Sequence, residues 1–359
     1  MDVVLKRCEV ALKLKIILVL HHTTKNNFLN TAATHNSLTV IPYTSRVKQE
    51  WDQFVDKAIN ATFLFKRDFM EYHQDRFEDA SLLFYKKEQL VAVLPANSVK
   101  DTYYSHQGLT YGGLVLSRKA KLTEVIPLFK QLLVYLEQEG ITQLQLKQLP
   151  AFYAQQPNEA IDYLAFICEA KIHRVDVASV IDNRRPLGVQ SNRREGVKKA
   201  DRAQLDIEET THFSQFWNDI LLPNLAQRHQ ATPTHSLEEI QHLQKRFPKN
   251  ITQFNVRQKG KIVGGATIFE TATTAHVQYI SANAKKQELG TLDFLFDYLI
   301  NTRYANKDYF DFGISNENQG RSLNTGLNYW KECFGARSFV HRHYLFDTSA
   351  HHHLDTLAL

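Results

Sequence analysis

FDFGISNENQGRSLNTGLNYWKECFG, residues 310–335, predicts a short strand, a polar turn, a helix and a glycine stop. Side chains alternate along a strand, so Phe310 and Phe312 lie on one face and Asp311 on the other. Helical spacing then gives an apolar stripe and a separate polar stripe. The apolar stripe comprises Leu323, Leu327, Trp330 and Phe334, and the polar stripe comprises Arg321, Asn324, Asn328 and Lys331. A carboxylate at a strand end and two cations on the next helix predict a cleft, with a capped surface helix as the alternative.

The composition indicates a folded protein with a large core. The chain has 359 residues, enough for roughly two domains of ~150 residues each. Hydrophobic residues make up 43% of the chain and charged residues 23%. The net charge of +5 is mildly basic. It argues against a dedicated nucleic-acid binder and fits an anionic small ligand held by a few lysines and arginines.

Cysteines and histidines give no metal signature. Cys8, Cys168 and Cys333 lie far apart without a CxxC pair, which argues against a disulfide framework or a thiolate zinc site and favours a reducing cytosol. His341 and His343 share a strand face but have no acidic partner nearby in sequence. No apolar run approaches the ~18 residues of a membrane span. The sequence therefore predicts a cytoplasmic protein with no metal site and no membrane span.

One order of elements, β-α-β-β-β-α-β-α-β, occurs twice along the chain. In each copy a helix carrying tryptophan and a charged hairpin turn fall in matching places. The alternation predicts an α/β protein of the α+β mixed-sheet kind, with helices on both faces of the sheets. We expect an N-terminal extension of uncertain structure at 1–37, a first domain at 38–185, a second domain at 186–347 and a tail at 348–359.

Three segments carry a resemblance to a known family. They are GLTYGGLV at 108–115, the basic helix RREGVKKA at 193–200, and the run from Asp311-Phe-Gly through Lys331 to Gly335. Over roughly residues 40–347 the chain resembles the GNAT acyltransferase superfamily in its duplicated form. It is similar to Fem-type peptidyltransferases and to the double-GNAT acyltransferases of bacterial polysaccharide gene clusters. The resemblance implies two tandem GNAT-like domains, each a mixed, mostly antiparallel sheet flanked by helices.

The sequence departs from the family pattern at the pyrophosphate loop. Where a typical GNAT loop carries several glycines, KQELGT at 286–291 has one. Backbone N–H groups at the following helix N-terminus still provide a potential phosphate cradle. The helical hairpin of some tRNA-dependent Fem enzymes is also missing, because no sufficiently long heptad segment exists.

The resemblance implies direct attack of an amine on a bound thioester or ester, without a covalent intermediate. Backbone N–H groups at the end of the strand 276–281 would polarise the carbonyl. Asp311 is the candidate base, or the carboxylate that orients a water acting as base. Tyr279 is the candidate acid for the leaving group, or else a packed strand residue.

The remaining expected site residues divide between donor and acceptor. The donor-binding residues are Ile280, Ser281, Gly290, Thr291, Asn318, Arg321 and Asn324. The acceptor-binding residues are Tyr111, Gly112, Arg193 and Lys331. Solvated helix faces are the alternative for the cations, and a β-bulge is the alternative for the glycine.

Three functions are compatible with these residues. The first is an N-acyltransferase that moves an acyl group from acetyl-CoA or another acyl-CoA to an amine of an amino sugar or cell-envelope precursor. The second is a Fem-like peptidyltransferase that uses aminoacyl-tRNA, the case in which a nucleic acid would be a partner. The third is a catalytically silent double-GNAT binding protein. We expect the second domain to carry the working site, with a small-molecule donor and an amine as its partners.

Overall fold

The computed structural model describes residues 38–357, apart from residues 157, 230 and 231. The predicted extension at 1–37 lies outside the described residues. The strands are β1 (Leu38–Pro42), β2 (Leu82–Lys86), β3 (Gln89–Leu94), β4 (Asn97–Val99), β5 (Thr102–Tyr104), β6 (Val115–Leu116), β7 (Gln143–Lys147), β8 (Lys171–Asp182), β9 (Leu205–Thr210), β10 (Ile251–Gln258), β11 (Lys261–Glu270), β12 (Thr274–Ala282), β13 (Tyr309–Ile314), β14 (Asn316–Glu317), β15 (Ser322–Leu323) and β16 (Arg337–Asp347).

Helices connect these strands. They are α1 (Lys48–Lys57), α2 (Arg67–Met70), α3 (Leu122–Gln138), α4 (Ala160–Ile167), α5 (Ser191–Arg202), α6 (Leu222–His229), α7 (Leu237–Arg246), α8 (Lys286–Leu289), α9 (Thr291–Tyr298) and α10 (Thr325–Glu332). Segments of 3₁₀ helix lie at Ser45–Val47, Phe63–Phe65, Glu71–His73, Ala151–Tyr153 and Thr348–Thr356, and π-helical segments lie at Phe216–Leu221 and Leu299–Arg303. Most of the α-helices lie where the sequence pattern predicts a helix.

The main sheet has ten strands in the order β4-β5-β7-β16-β8-β13-β12-β11-β10-β9. Its pairs are antiparallel except β5 with β7 and β12 with β13, which are parallel. A smaller four-stranded sheet has the order β1-β2-β3-β6. The expected mixed, mostly antiparallel architecture flanked by helices is therefore confirmed.

The main sheet runs through both predicted halves of the chain. Strand β8, which closes the first half, pairs with β13 and β16 of the second half. Strand β16 pairs in turn with β7 of the first half. The proposed boundary between residues 185 and 186 stays a prediction, and it lies between strands that share one sheet.

Strands β12 and β13 diverge after a short contact. Their pairing runs from Thr274 opposite Tyr309 to His276 opposite Asp311. Beyond that point, residues 277–282 of β12 pair with β11 and, within the described chain, with no residue of β13. Because peptide groups alternate in direction along a strand, about half of the N–H and C=O groups of this segment face the gap. The divergence therefore opens a notch in the sheet.

The core lies in three apolar clusters. The largest joins both halves, with Trp51, Phe65 and Tyr153 from the first and Phe213, Trp217 and Phe269 from the second. A second cluster packs α3 against the first-half strands. The third contains Phe296, Phe310, Phe312 and Phe334 beneath β13 and α10. Full burial of each such ring is worth roughly 1.5–3 kcal/mol, so these clusters hold the notch in shape.

The 310–335 segment differs in part from its prediction. Phe310 and Phe312 are buried together, as strand alternation requires. The helix begins only at Thr325, because the side chain of Asn324 accepts a hydrogen bond from the N–H of Leu327 and caps it. Leu323 therefore lies in β15 and is exposed. Only the C-terminal end of the predicted apolar stripe is therefore buried.

Candidate functional site

A cavity of ≈ 520 Å³ lies at the notch between β12 and β13. His276 and Ile280 line it from β12, and Gly313 lines it from β13. Leu327 and Lys331 of α10 line it from the helix side. Neighbouring strands β7, β8 and β16 contribute Lys147, Arg174, Asp176, His341 and His343. The cavity is therefore polar on the side of the sheet and mixed on the side of the helix.

Asp311 is the buried centre of a hydrogen-bond network beside this cavity. Its Oδ2 accepts a hydrogen bond from the Tyr153 hydroxyl at 2.6 Å and lies 2.7 Å from His276 Nδ1. Its Oδ1 accepts from the N–H of Gly313 at 2.7 Å. Burial alone would raise the pKa of Asp311, but His276 and the hydrogen bonds outweigh it and lower the pKa to about 2. The carboxylate is therefore charged and well supplied with donors at neutral pH.

The charged Asp311 determines which ring nitrogen of His276 carries a proton toward it. A carboxylate only accepts hydrogen bonds, so the ring nitrogen that faces it, Nδ1, carries the proton. The other ring nitrogen, Nε2, has no hydrogen-bond partner among the described residues, and the ring lines the cavity. In its neutral form, an imidazole held in this way presents a proton acceptor at Nε2.

Lys331 is a buried lysine and not part of a solvated face. Its ammonium donates to the carbonyl oxygens of Gly313 and Ile314, both at 2.8 Å. Burial lowers the pKa of Lys331 to about 8, although the Asp311 charge opposes this shift. Gly313 has a φ of +73° and lies at an irregularity of β13. The hydrogen bonds from Lys331 therefore stabilise the bulge at which the strand turns away from β12.

Two of the predicted catalytic and donor residues on β12 lie in another environment. The Tyr279 hydroxyl accepts from the N–H of His235 at 3.0 Å and lies 2.6 Å from His235 Nδ1. Burial raises the pKa of Tyr279 to about 12. Ser281 Oγ accepts from the Asn224 side chain at 2.8 Å. Neither Tyr279 nor Ser281 is among the residues lining the cavity, whereas Ile280 is.

The start of α9, the expected phosphate cradle, is covered by α5. A Cβ at Gly290 would lie 1.9 Å from the carbonyl oxygen of Gly196, and Thr291 is fully buried. Arg193 of α5 donates to Asp293 of α9 at 2.7 Å. Gly290, Thr291 and Arg193 therefore belong to a helix–helix contact in this structure. The residues here do not fit the pyrophosphate of acyl-CoA.

The other predicted residues are placed apart from the cavity. Asn318 lies in the turn of the β14–β15 hairpin and donates to Ser322 Oγ at 3.0 Å, and the Arg321 side chain is exposed. Asn324 caps α10. Tyr111 is buried with its ring 4.6 Å from that of Tyr153, and its hydroxyl donates to Thr62.

Gly112 makes a close backbone approach. It forms a parallel bridge with Gln148, and a Cβ there would lie 2.0 Å from the carbonyl oxygen of Ser105. Of the thirteen predicted residues, the structure brings Asp311, Ile280 and Lys331 together at the notch. The roles of all thirteen stay predictions.

Sequence reasoning missed the residues that complete the network. His276 and Asp311 are 35 positions apart and meet through the parallel pairing of β12 with β13. Tyr153 comes from the first half of the chain. His343, which has no acidic neighbour in sequence, lies 3.5 Å from Asp176 of β8. The usable signal was a histidine and an aspartate on two strands of one predicted sheet.

Comparison with solved structures identifies the fold. A crystal structure of FemX matches with a TM-score of 0.61 and 9% identity, covering 86% of this chain and 97% of that chain. L-PGS from Bacillus licheniformis matches with a TM-score of 0.53 and 12% identity, covering 79% and 92%. No protein-family model matches the sequence, and a search of curated proteins gives no significant match. The chain therefore shares the fold of FemX and L-PGS, in agreement with the Fem-like fold that its sequence resemblance implies.

Two features are absent from the described residues, a metal-binding group and a membrane-spanning helix. No group of three or more histidine, cysteine, aspartate or glutamate side chains there is arranged to hold a metal ion. No helix there has both the length and the apolar character of a membrane span.

Proposed function

We propose that this protein is an acyltransferase in which His276 removes a proton from an amine bound at the notch. The observation that carries the proposal is the Tyr153–Asp311–His276 network, which ends at a ring nitrogen without a protein partner on the cavity wall. A base held in a fixed tautomer by a buried carboxylate is the arrangement that general-base catalysis requires.

The reaction needs one bond to form and one to break. The amine nitrogen attacks the carbonyl carbon of the donor, and the bond from that carbon to the donor's oxygen or sulfur breaks. The amine proton passes to Nε2 of His276, which then returns it to the leaving group. Asp311 stabilises the imidazolium that forms in between. Main-chain N–H groups of residues 277–282 that face the gap support the charge that develops on the carbonyl oxygen.

The contact between α5 and α9 favours an aminoacyl ester of tRNA as the donor. Acyl-CoA would place its pyrophosphate at a helix N-terminus. Here Gly290 lies against Gly196, and Thr291 is fully buried. An aminoacyl ester does not need that helix N-terminus as a pyrophosphate site. The acceptor is an amine that fits the notch, and an amino sugar or another cell-envelope precursor is the class we favour.

A donor and acceptor screen tests the proposal. Purified protein is incubated with a panel of amines and either aminoacyl-tRNA or acetyl-CoA, and acylated product is measured by mass spectrometry. We expect transfer from aminoacyl-tRNA, a loss of about 100-fold or more in His276→Ala, and partial rescue of that variant by added imidazole. His212→Ala, which removes an exposed histidine, serves as the control and should keep full activity.

Three outcomes would contradict the proposal in whole or in part. Absence of transfer from either donor would support the silent binding protein instead. Full activity in a correctly folded His276→Ala would remove the base from the mechanism. Transfer from acetyl-CoA alone would keep the base and reject the donor.

A further inference from the structure

A row of basic side chains crosses three adjacent strands on the floor of the cavity. In the sheet register His343 of β16 is opposite Lys147 of β7 on one side and opposite Arg174 of β8 on the other. Directly opposed residues lie on the same face of a sheet, about 5 Å apart, and all three line the cavity. Lys147 and Arg174 thus carry like charges on the two sides of His343, and like charges on one face of a sheet repel, so this row calls for a compensating charge.

The protein supplies little of that compensation. Asp176, the acidic residue among those lining the cavity, is paired with Arg174 at 2.8 Å and lies 3.5 Å from His343. Lys147 directs its ammonium to the carbonyl oxygens of Gln107 and Leu109, at 3.0 and 2.7 Å. In the part of the chain that the structure describes, Lys147 has no carboxylate within ion-pair distance. Burial and then Arg174 lower the pKa of Lys147 to about 8.

A second lysine faces the same space from the helix side. Lys331 also directs its ammonium to two carbonyl oxygens, those of Gly313 and Ile314, and within the described chain it too has no carboxylate in an ion pair. An ammonium has three N–H donors, so each lysine keeps one beyond these contacts. Two lysines without paired carboxylates and one arginine thus surround the cavity that His276 lines.

We propose that the row Lys147–His343–Arg174, together with Lys331, binds an anionic group of the acceptor. The acceptor is then an amine that also carries a carboxylate or a phosphate, oriented so that its amine reaches His276. Identifying the bound molecule as the acceptor rests on the proposed function. The anion site itself rests on the register, the lining and the charges of this cavity. Asp176 holds Arg174 in the row through their ion pair, which also offsets the repulsion between the Asp176 carboxylate and a bound anion.

Isothermal titration calorimetry with two probes tests the site. Inorganic phosphate represents a phosphate group and acetate a carboxylate, each titrated at low chloride so that screening is weak. We expect saturable binding of at least one probe by the wild-type protein. Each of Lys147→Met and Arg174→Met should weaken it about tenfold or more, the range of a lost charge-assisted hydrogen bond. The stronger probe identifies the anion.

Lys119→Met is the matched control, because it removes the same charge from an exposed turn. Its phosphate affinity should stay within about twofold of wild type. The Arg174 side chain is 31% exposed, so Arg174→Met should keep the fold and tests the site on its own if Lys147→Met unfolds. Absence of saturable binding of both probes, or equal weakening by Lys119→Met and Arg174→Met, would overturn the proposal.

His276→Ala separates this inference from the proposed function. We expect the variant to lose turnover and to bind phosphate as wild type does. If it keeps turnover while Arg174→Met loses phosphate binding, the base assignment fails and the anion site stands. If it loses turnover while no variant alters phosphate binding, the base stands and the anion site fails.

Discussion

At the scale of single residues, the contacts of Asp311 determine what it does. The carboxylate is fully buried and receives hydrogen bonds from Tyr153, His276 and Gly313. With a pKa lowered to about 2, it holds no proton at neutral pH and has little tendency to accept one. Burial and the Asp311 charge keep the pKa of the Tyr153 phenol well above its usual value, so the phenol remains a donor. Under the proposed function, Asp311 therefore acts through His276, as a positioning residue.

Asp311→Asn tests this positioning role. The amide keeps the size of the side chain and can still accept from Gly313, but it cannot hold His276 in the tautomer that leaves Nε2 free. We expect kcat to fall about 100-fold with KM little changed. Tyr153→Phe, which removes a donor and leaves the Asp311–His276 contact, should cost less than about tenfold. Steady-state kinetics on both variants makes the comparison, and equal losses would reject the assignment.

At the scale of elements, local pattern predicted most helices and strands. The basic helix predicted at 193–200 lies within the observed helix Ser191–Arg202. In the glycine-rich segment 108–115 only Val115 lies in a strand, β6, because the preceding residues form turns and a single bridge at Gly112. Helix caps and alternation are local properties, so a single sequence contains them.

The contacts between elements could not be read from the sequence in the same way. His276 meets Asp311 only because β12 and β13 pair in parallel with one particular register. Lys147 and Arg174 meet across His343 because β16 lies between β7 and β8. Register and strand order depend on the whole fold, and a shift of one residue would turn these side chains to the other face. The buried part of the site therefore needed the structure.

Gly290→Ala tests how tightly α5 covers α9. The residue has a φ of +68°, and a Cβ would lie 1.9 Å from backbone of Gly196, which cannot move as a flexible side chain can. We expect a loss of several kcal/mol in the free energy of unfolding by urea, about 1 to 2 kcal/mol of it from the left-handed backbone. Gly260→Ala is the control, since it has a φ of +77° and open space around it. Similar losses in the two variants would show that the helix contact is loose.

At the scale of the whole molecule, the two halves of the chain share one sheet and one apolar cluster. Beside that cluster lies a second cavity of ≈ 320 Å³, lined by aromatic and histidine side chains from both halves. His73 is buried there, and neither of its ring nitrogens has a hydrogen-bond partner among the described residues. The His106 ring lies 5.2 Å from it. Such histidines are stable only while neutral, because charging them here would bury an uncompensated cation.

Acid should therefore loosen the junction between the halves before it protonates the carboxylates. Burial and Arg76 lower the pKa of His73 to about 4, and burial and His73 lower that of His106 to about 3. Above pH 6.5 both are neutral in the folded and unfolded chains, so their stability contribution is complete. As the pH falls from 6.5 toward 4, the unfolded chain alone takes up protons, and each histidine lowers the free energy of unfolding by up to about 1.4 kcal/mol per pH unit.

Urea unfolding at pH 7.5 and 5.0 should show this loss in wild type and in the exposed control His212→Leu. It should be smaller in His73→Leu, where the side chain no longer titrates, and an equal loss in both variants would place the acid sensitivity elsewhere.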